Sequence, residues 1–213
     1  MLEDTIKKAK QRIEKTPFLF ILLGIAVYFW INGSAHFPDW TETYGQMIHY
    51  YIIMLFVFLI FAKDKIRKQI QTPLSRSIQQ YVLGFFACFA LMYTLVLLNI
   101  FAIGEISPNI LWQTLIIQIC IVSVAEELMF RGVLLGYMGV LASSFLFMLW
   151  HSVAYGVLWY DFTPEMIGSL VFVFLFGTIL GFLVKYKPKS VGIIGAMSIH
   201  AAYNLIILGV LTI

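Results

Sequence analysis

Long apolar runs separated by short polar breaks dominate this chain. A charged first segment fits an amphipathic helix, and seven apolar runs follow it. They are Phe18–Asn32, Met47–Ala62, Tyr81–Ile103, Asn109–Met129, Val140–Leu158, Met166–Val184 and Val191–Ile213. A helix needs about 20 apolar residues to cross a bilayer, so the runs predict transmembrane helices, the first two being the shortest. Transmembrane barrel strands would alternate apolar and polar residues instead.

The composition excludes a soluble domain. Of the 213 residues, 61% are hydrophobic and 12% are charged, whereas an ordinary soluble domain is about 45–50% apolar and about 25% charged. Too few charged side chains remain to cover the outside of a soluble core. The same composition excludes a disordered chain and a disulfide-rich secreted module. The sequence therefore predicts an all-α, multi-pass bundle of about seven spans in a lipid bilayer.

The positions of the basic residues predict the orientation. If the N-terminus is inside, all 14 Lys and Arg residues fall on the inner side, in the first segment and in the second, fourth and sixth breaks. Arg131 is the basic residue of the fourth break. The outer loops carry only acidic charges, so the C-terminus is predicted outside. Because topology accounts for the basic residues, the net charge of +3 gives no reason to expect a nucleic-acid partner.

Six polar residues inside or at the ends of the last four apolar runs are candidates for a functional site. They are Glu126, Glu127 and Arg131 around the end of the fourth run, His151 in the fifth, and His200 and Asn204 in the seventh. Ionisable groups within a membrane are costly and therefore mark functional sites. A carboxylate, two imidazoles and a carboxamide facing one cavity suffice to activate water and to hold a developing oxyanion.

Each polar group also has a structural interpretation. Glu127 and Arg131 are four residues apart and can form an ion pair at a helix end, and a single Asn in a span commonly joins helices. The spacings Gly177-x-x-x-Gly181 and Gly132-x-x-x-Gly136 permit close helix packing and leave a homo-oligomer open. The two cysteines, Cys88 and Cys120, are interpreted as buried small side chains.

Three short motifs then carry a resemblance to a known family. Glu126-Glu127-Leu128-Met129-Phe130-Arg131 resembles the E-E-x-x-x-R motif of the CPBP family, the CAAX-processing and bacteriocin-processing intramembrane proteases, also called Abi. Phe147 to His151 resembles its F-x-x-x-H motif, and His200 to Asn204 its H-x-x-x-N/D motif. The motifs occur in the family's order. The resemblance divides the chain into residues 1–108, an N-terminal helix with three spans, and 109–213, a catalytic four-helix core.

The resemblance implies an intramembrane endopeptidase in a bacterial cell membrane, with its site open to the cytoplasmic side. Glu126 would be the general base, assisted by His151, while His200 and Asn204 would stabilise the oxyanion and Glu127 and Arg131 would shape the site. Many relatives are called metalloproteases. A Glu/His mechanism needs no cofactor, yet Glu126, His151 and His200 are also a suitable set of zinc ligands. The substrate would be a membrane-proximal peptide, either prenylated or a bacteriocin precursor.

Three alternatives are weighed against this reading. A non-enzymatic immunity or scaffold protein of the same fold would keep the helices and could lack Glu126 or His151, both of which are present. A transporter with a Glu126–His151 proton relay would show repeats or broken helices. Other intramembrane proteases fit less well, because the chain has no H-E-x-x-H and Tyr160-Asp161 lacks the G-x-G-D motif of presenilin-like enzymes.

Overall fold

The computed structural model describes residues 73–98, 115–154 and 163–207. The predicted amphipathic segment and the first two predicted spans lie outside the described residues. The number of seven spans and the orientation of the termini therefore stay predictions, as does the division of the chain at residue 108.

Every regular element in the described ranges is helical. The elements are α1 (Leu74–Leu97), a first π-helical segment (Gln118–Val122), α2 (Ser123–Glu127), a second π-helical segment (Leu128–Leu134), α3 (Leu135–Ala154), α4 (Pro164–Tyr186) and α5 (Gly192–Ile207). Three stretches are long and apolar enough to cross a membrane: Leu74–Leu97, Leu115–His151 and Met166–Tyr186; the apolar α5 is shorter. The predicted all-α class is confirmed for these residues, and the chain is an integral membrane protein.

The helix ends do not coincide with the ends of the apolar runs. α1 begins at Leu74, before the run that opens at Tyr81, because the polar residues preceding Tyr81 continue the helix. α4 begins where the sequence has a helix start signal: Thr163 caps it by accepting a hydrogen bond from the Met166 backbone N–H at 3.3 Å, and Pro164 occupies the first turn. Hydropathy thus indicates the membrane crossing, and local capping sets the boundary.

The stretch from Leu115 to Ala154 folds back on itself at Gly139. Gly139 has φ +83°, a conformation that favours glycine. Trp150 Nε1 lies 3.1 Å from Glu126 Oε1, and Ser143 Oγ donates to the Phe130 carbonyl at 2.6 Å. In a straight helix Glu126 and Trp150 would be about 36 Å apart. The described parts of the fourth and fifth predicted spans therefore form an antiparallel helical hairpin.

The position of Arg131 corrects the prediction that a loop follows the fourth run. It lies on the second π-helical segment and is 1% exposed, because the helix continues past the apolar run and Glu127 compensates the guanidinium charge within the bundle. Arg131 is therefore no loop charge, and the predicted orientation depends on the other basic residues.

Small residues bring the helices together. A Cβ on Gly84 of α1 would lie 2.5 Å from Ser198 Oγ and 3.0 Å from the Gly195 carbonyl of α5. On α4, a Cβ on Gly177 would lie 3.0 Å from Phe147 Cδ1, and one on Gly181 would lie 2.9 Å from Val140 Cγ1. The Gly177-x-x-x-Gly181 spacing thus serves close packing of α4 against α3 within one chain.

The two cysteines have different surroundings. Cys88 is buried in the apolar cluster between α1 and α5, with Met92, Ala202 and Ile206. Cys120 lies on the first π-helical segment and is exposed. Burial was the right expectation for Cys88 and the wrong one for Cys120, since an apolar run does not reveal which of its faces packs inward.

Candidate active site

Three of the predicted site residues converge at one point in the bundle. Glu126 comes from α2, His151 from α3 and His200 from α5. The Nε2 atom of His200 lies 3.5 Å from Glu126 Oε2, and the Nε2 atom of His151 lies 3.9 Å from the same oxygen. One potential ligand atom from each residue lies within 4.8 Å of the others. The hairpin turn at Gly139 is what brings Glu126 and His151 together.

The converging groups are shielded to different degrees. The side chains of Glu126 and His200 are 2% and 1% exposed, whereas that of His151 is 14% exposed. An ionised carboxylate in so apolar a place is costly unless polar groups surround it. Trp150 supplies one such group, since its indole N–H donates to Glu126 Oε1 at 3.1 Å. This bond holds the carboxylate so that Oε2 faces the two imidazoles.

The hydrogen-bond partners of the two histidines define their tautomers. His151 Nδ1 lies 2.9 Å from the Phe147 carbonyl, which can only accept, so Nδ1 carries the proton. His200 Nδ1 lies 2.9 Å from Glu127 Oε1 and is assigned the same way. In the neutral form each ring therefore presents the lone pair of Nε2 toward Glu126 Oε2. Three acceptor atoms facing one another need a shared proton, a water or a cation between them.

Glu127 supports the site from the side opposite Glu126. Its Oε1 accepts from Arg131 Nη1 at 2.8 Å as well as from His200 Nδ1. Arg131 also donates from Nη2 to the Gly177 carbonyl at 3.2 Å and lies 4.2 Å from the Phe147 ring centroid. Adjacent carboxylates thus bind opposite sides of one imidazole: Glu126 lies near Nε2 of His200, and Glu127 near Nδ1.

Asn204 makes a contact of its own with another helical segment. It lies one turn after His200 on α5, as its spacing predicts, and its Nδ2 donates to Gln118 Oε1 at 2.8 Å. Gln118 lies on the first π-helical segment.

Gln118 and Trp150 are the two polar contacts of the site that the sequence did not reveal. The only signal for Gln118 was a polar residue within an apolar run. Trp150 lies inside the F-x-x-x-H motif but looks like one more apolar side chain.

Aromatic rings surround the histidines. The Phe147 ring centroid lies 4.4 Å from that of His151 and 5.6 Å from that of His200, both edge-to-face. Phe176 of α4 lies 6.2 Å from His200 and stacks on Tyr203 at 4.8 Å. These rings exclude water from the side of the site that they cover, which strengthens electrostatic interactions among the polar groups.

The donor set fits a metal ion of the zinc type. Two histidines and a carboxylate are a common ligand set for catalytic zinc. Each ligating histidine would keep its other ring nitrogen bound to an acceptor, here the Phe147 carbonyl and the Glu127 carboxylate, as metal-binding histidines usually do.

Comparison with known proteins identifies the segment that contains all of these groups. Residues 107–206 match the family model described as Type II CAAX prenyl endopeptidase Rce1-like. Over this segment the chain is similar to the Rce1-like family. The resemblance to CAAX-processing proteases is thereby confirmed, and the family implies a membrane protease. The Rce1-like segment contains the hairpin, α4 and all of α5 but its last residue, whereas α1 precedes it. No curated protein and no solved structure matches the chain.

Proposed function

We propose that this protein is an intramembrane endopeptidase that hydrolyses a peptide bond with water activated by Glu126 and His151. The observation that carries the proposal is the convergence of Glu126, His151 and His200 at a shielded point of the Rce1-like segment. Nothing in apolar packing requires two imidazoles and a carboxylate to meet there.

Glu126 acts as the general base in this mechanism. Its Oε2, with the Nε2 lone pair of His151 nearby, takes a proton from the water as the water oxygen bonds to the scissile carbonyl carbon. The proton then passes to the leaving amine nitrogen as the C–N bond breaks, which gives a carboxylic acid and an amine. Trp150 keeps the Glu126 carboxylate oriented for both transfers by holding Oε1.

His200 and Asn204 stabilise the oxyanion in different ways. His200 can donate to the oxyanion from Nε2 only when both of its ring nitrogens carry protons, while Glu127 Oε1 accepts from Nδ1. Asn204 donates from a neutral carboxamide and needs no proton transfer. Preorganised donors of this kind are worth about 10²–10³-fold each in rate. Glu127 and Arg131 act on the reaction only through His200.

A divalent metal held by Glu126, His151 and His200 would act as a Lewis acid toward water or the scissile carbonyl. The roles of Trp150, Glu127 and Arg131 stay the same in that case, because they orient the side chains that would be the ligands.

The proposed substrate is a prenylated CAAX-type peptide presented at the membrane surface. The family match supports it, and an integral membrane enzyme meets a lipid-anchored peptide within two dimensions. A bacteriocin precursor is the second substrate class. We also propose that the site faces the cytoplasm. This orientation is predicted from the positions of the basic residues alone.

The test uses the purified full chain in liposomes with a farnesylated, internally quenched CAAX peptide and its unprenylated form. We expect cleavage of the farnesylated peptide, lost in Glu126→Gln and His151→Ala. Thr94→Val is the matched control, because the Thr94 hydroxyl on the exposed face of α1 bonds only its own helix, at the Ala90 carbonyl. Wild-type turnover by Glu126→Gln would refute the mechanism. Binding without cleavage would favour the immunity or scaffold alternative.

A further inference from the structure

The contact between Gln118 and Asn204 has no role in the mechanism so far. Asn204 Nδ2 donates to Gln118 Oε1 at 2.8 Å, which joins the first π-helical segment to α5. Both side chains are partly buried. The bond is side chain to side chain between residues far apart in the sequence, and it holds the residue one turn away from His200.

The π-helical turn explains why Gln118 reaches Asn204. In a regular α-helix Gln118 would lie about 80° around the axis from Glu126, at about 100° per residue over eight residues. A π turn holds more residues than an α turn, so the five residues from Gln118 to Val122 reduce this angle. Gln118 and Glu126 therefore both face α5.

Ser123 closes this turn. Its backbone N–H and its hydroxyl both donate to the Gln118 carbonyl, and Ser123 is fully buried. The wide turn is thus supported by a dedicated side chain, and such π-helical insertions are frequent at functional sites.

We propose that Gln118 is a positioning residue that fixes the orientation of the Asn204 carboxamide for oxyanion stabilisation. This inference rests on the proposed function. The terminal torsion of Asn is broad, so an unbound carboxamide can turn and exchange its oxygen for its nitrogen. With one N–H bonded to Gln118, the second N–H is held in the same plane and the nitrogen end stays committed as a donor.

The test is a double-mutant cycle on the reconstituted full chain with the farnesylated peptide. Asn204→Ala should lower kcat by about 10²–10³-fold, as removal of one oxyanion donor does. Gln118→Met should lower kcat by about tenfold with KM unchanged, the effect of one neutral hydrogen bond. The double variant should match Asn204→Ala alone, since Gln118 acts only through Asn204.

The control is Thr178→Val on α4, whose hydroxyl bonds its own helix at the Phe174 carbonyl; it should leave both constants unchanged. A merely structural Gln118 would give losses that add to those of Asn204→Ala and a lower melting temperature, and this result would overturn the inference. Full activity of Gln118→Met, with Glu126→Gln inactive, would also overturn the inference, but it would agree with the proposed function. No cleavage by the wild-type chain would overturn both.

Discussion

The two faces of α5 are built on different principles. Toward α1 it presents Gly195, Ser198, Ala202 and Ile206, which pack against Gly84, Cys88 and Met92. Ser198 on this face bonds the Gly195 carbonyl of its own helix. Toward the hairpin the same helix presents His200 and Asn204, which bond side chains of other helices. One face is close-packed and self-contained, and the other concentrates polar groups that depend on distant partners.

The difference separates stability from chemistry. On the α1 face a change of one methyl group should be felt in folding, because interiors are close-packed. On the hairpin face, carboxylates and imidazoles meet with acceptor atoms facing one another, an arrangement that packing alone would not favour. Variants on the two faces should therefore affect different measurements.

The largest effect is expected at Glu126. Glu126→Gln keeps the shape and the bond from Trp150 possible but removes the base, so kcat should fall by about 10²–10⁴-fold, with the melting temperature in detergent unchanged or higher. Peptide cleavage and thermal unfolding, measured on the same preparation with Thr94→Val as control, check this. A loss of activity accompanied by unfolding would contradict the separation of activity from stability between the two faces.

The Glu127–Arg131 pair should affect both measurements. Glu127→Ala leaves a buried guanidinium uncompensated and should destabilise by about 3–5 kcal/mol. Replacing both residues by leucine should recover most of this stability, since a buried ion pair can often be exchanged for apolar side chains. Activity should stay low in the double variant because His200 has lost its Nδ1 partner. Recovery of activity together with stability would show that Glu127 does not orient His200.

Metal binding gives a test that does not depend on cleavage. If a divalent metal occupies the convergent acceptors, adding Zn²⁺ at about 100 times its Kd should stabilise the wild-type chain by about 2.7 kcal/mol. The shift should be absent in His151→Ala and reversed by a chelator. We expect this stabilisation, because three acceptor atoms face one another. An equal shift in His151→Ala would place the metal elsewhere.

The smallest effect is expected on the α1 face. Gly84→Ala would force a Cβ to within 2.5 Å of Ser198 Oγ and 3.0 Å of a backbone carbonyl, which should cost about 1–3 kcal/mol while kcat of the folded protein is unchanged. Gly168→Ala on α4 is the matched control. Its Cβ would meet nothing within 4 Å, so it should stabilise by about 0.5–1 kcal/mol. Equal effects of both variants would deny the close packing of α1 on α5.

The polar residues of the site could be found in the sequence because a membrane makes them conspicuous. Glu126, His151 and His200 stand out in apolar runs, and their motif spacings need only a regular helix. Arg131 was expected in a loop because the predicted apolar run ends at Met129, two residues before it. The second π-helical segment continues the helix past Arg131, and the carboxylate of Glu127 compensates the charge of the buried guanidinium.

Gln118 and Trp150 could not be found in this way. Finding Gln118 requires knowing that a π turn changes which residues share a face, and finding Trp150 requires knowing that the chain reverses at Gly139. Both are properties of backbone geometry that hydropathy does not encode.

The sequence by itself determined that this protein is helical and lies in a membrane, and which few polar side chains must be explained, because the cost of burying polar groups depends on residue type alone. Only the tertiary structure decided how they meet. In the tertiary structure Glu126 lies near two imidazoles and an indole. Glu127 contacts an arginine and the opposite side of His200, and Asn204 bonds Gln118. These contacts depend on distances of a few ångströms between helices. The distances follow from packing and from three departures from regular α-helix: the two π-helical segments and the turn at Gly139.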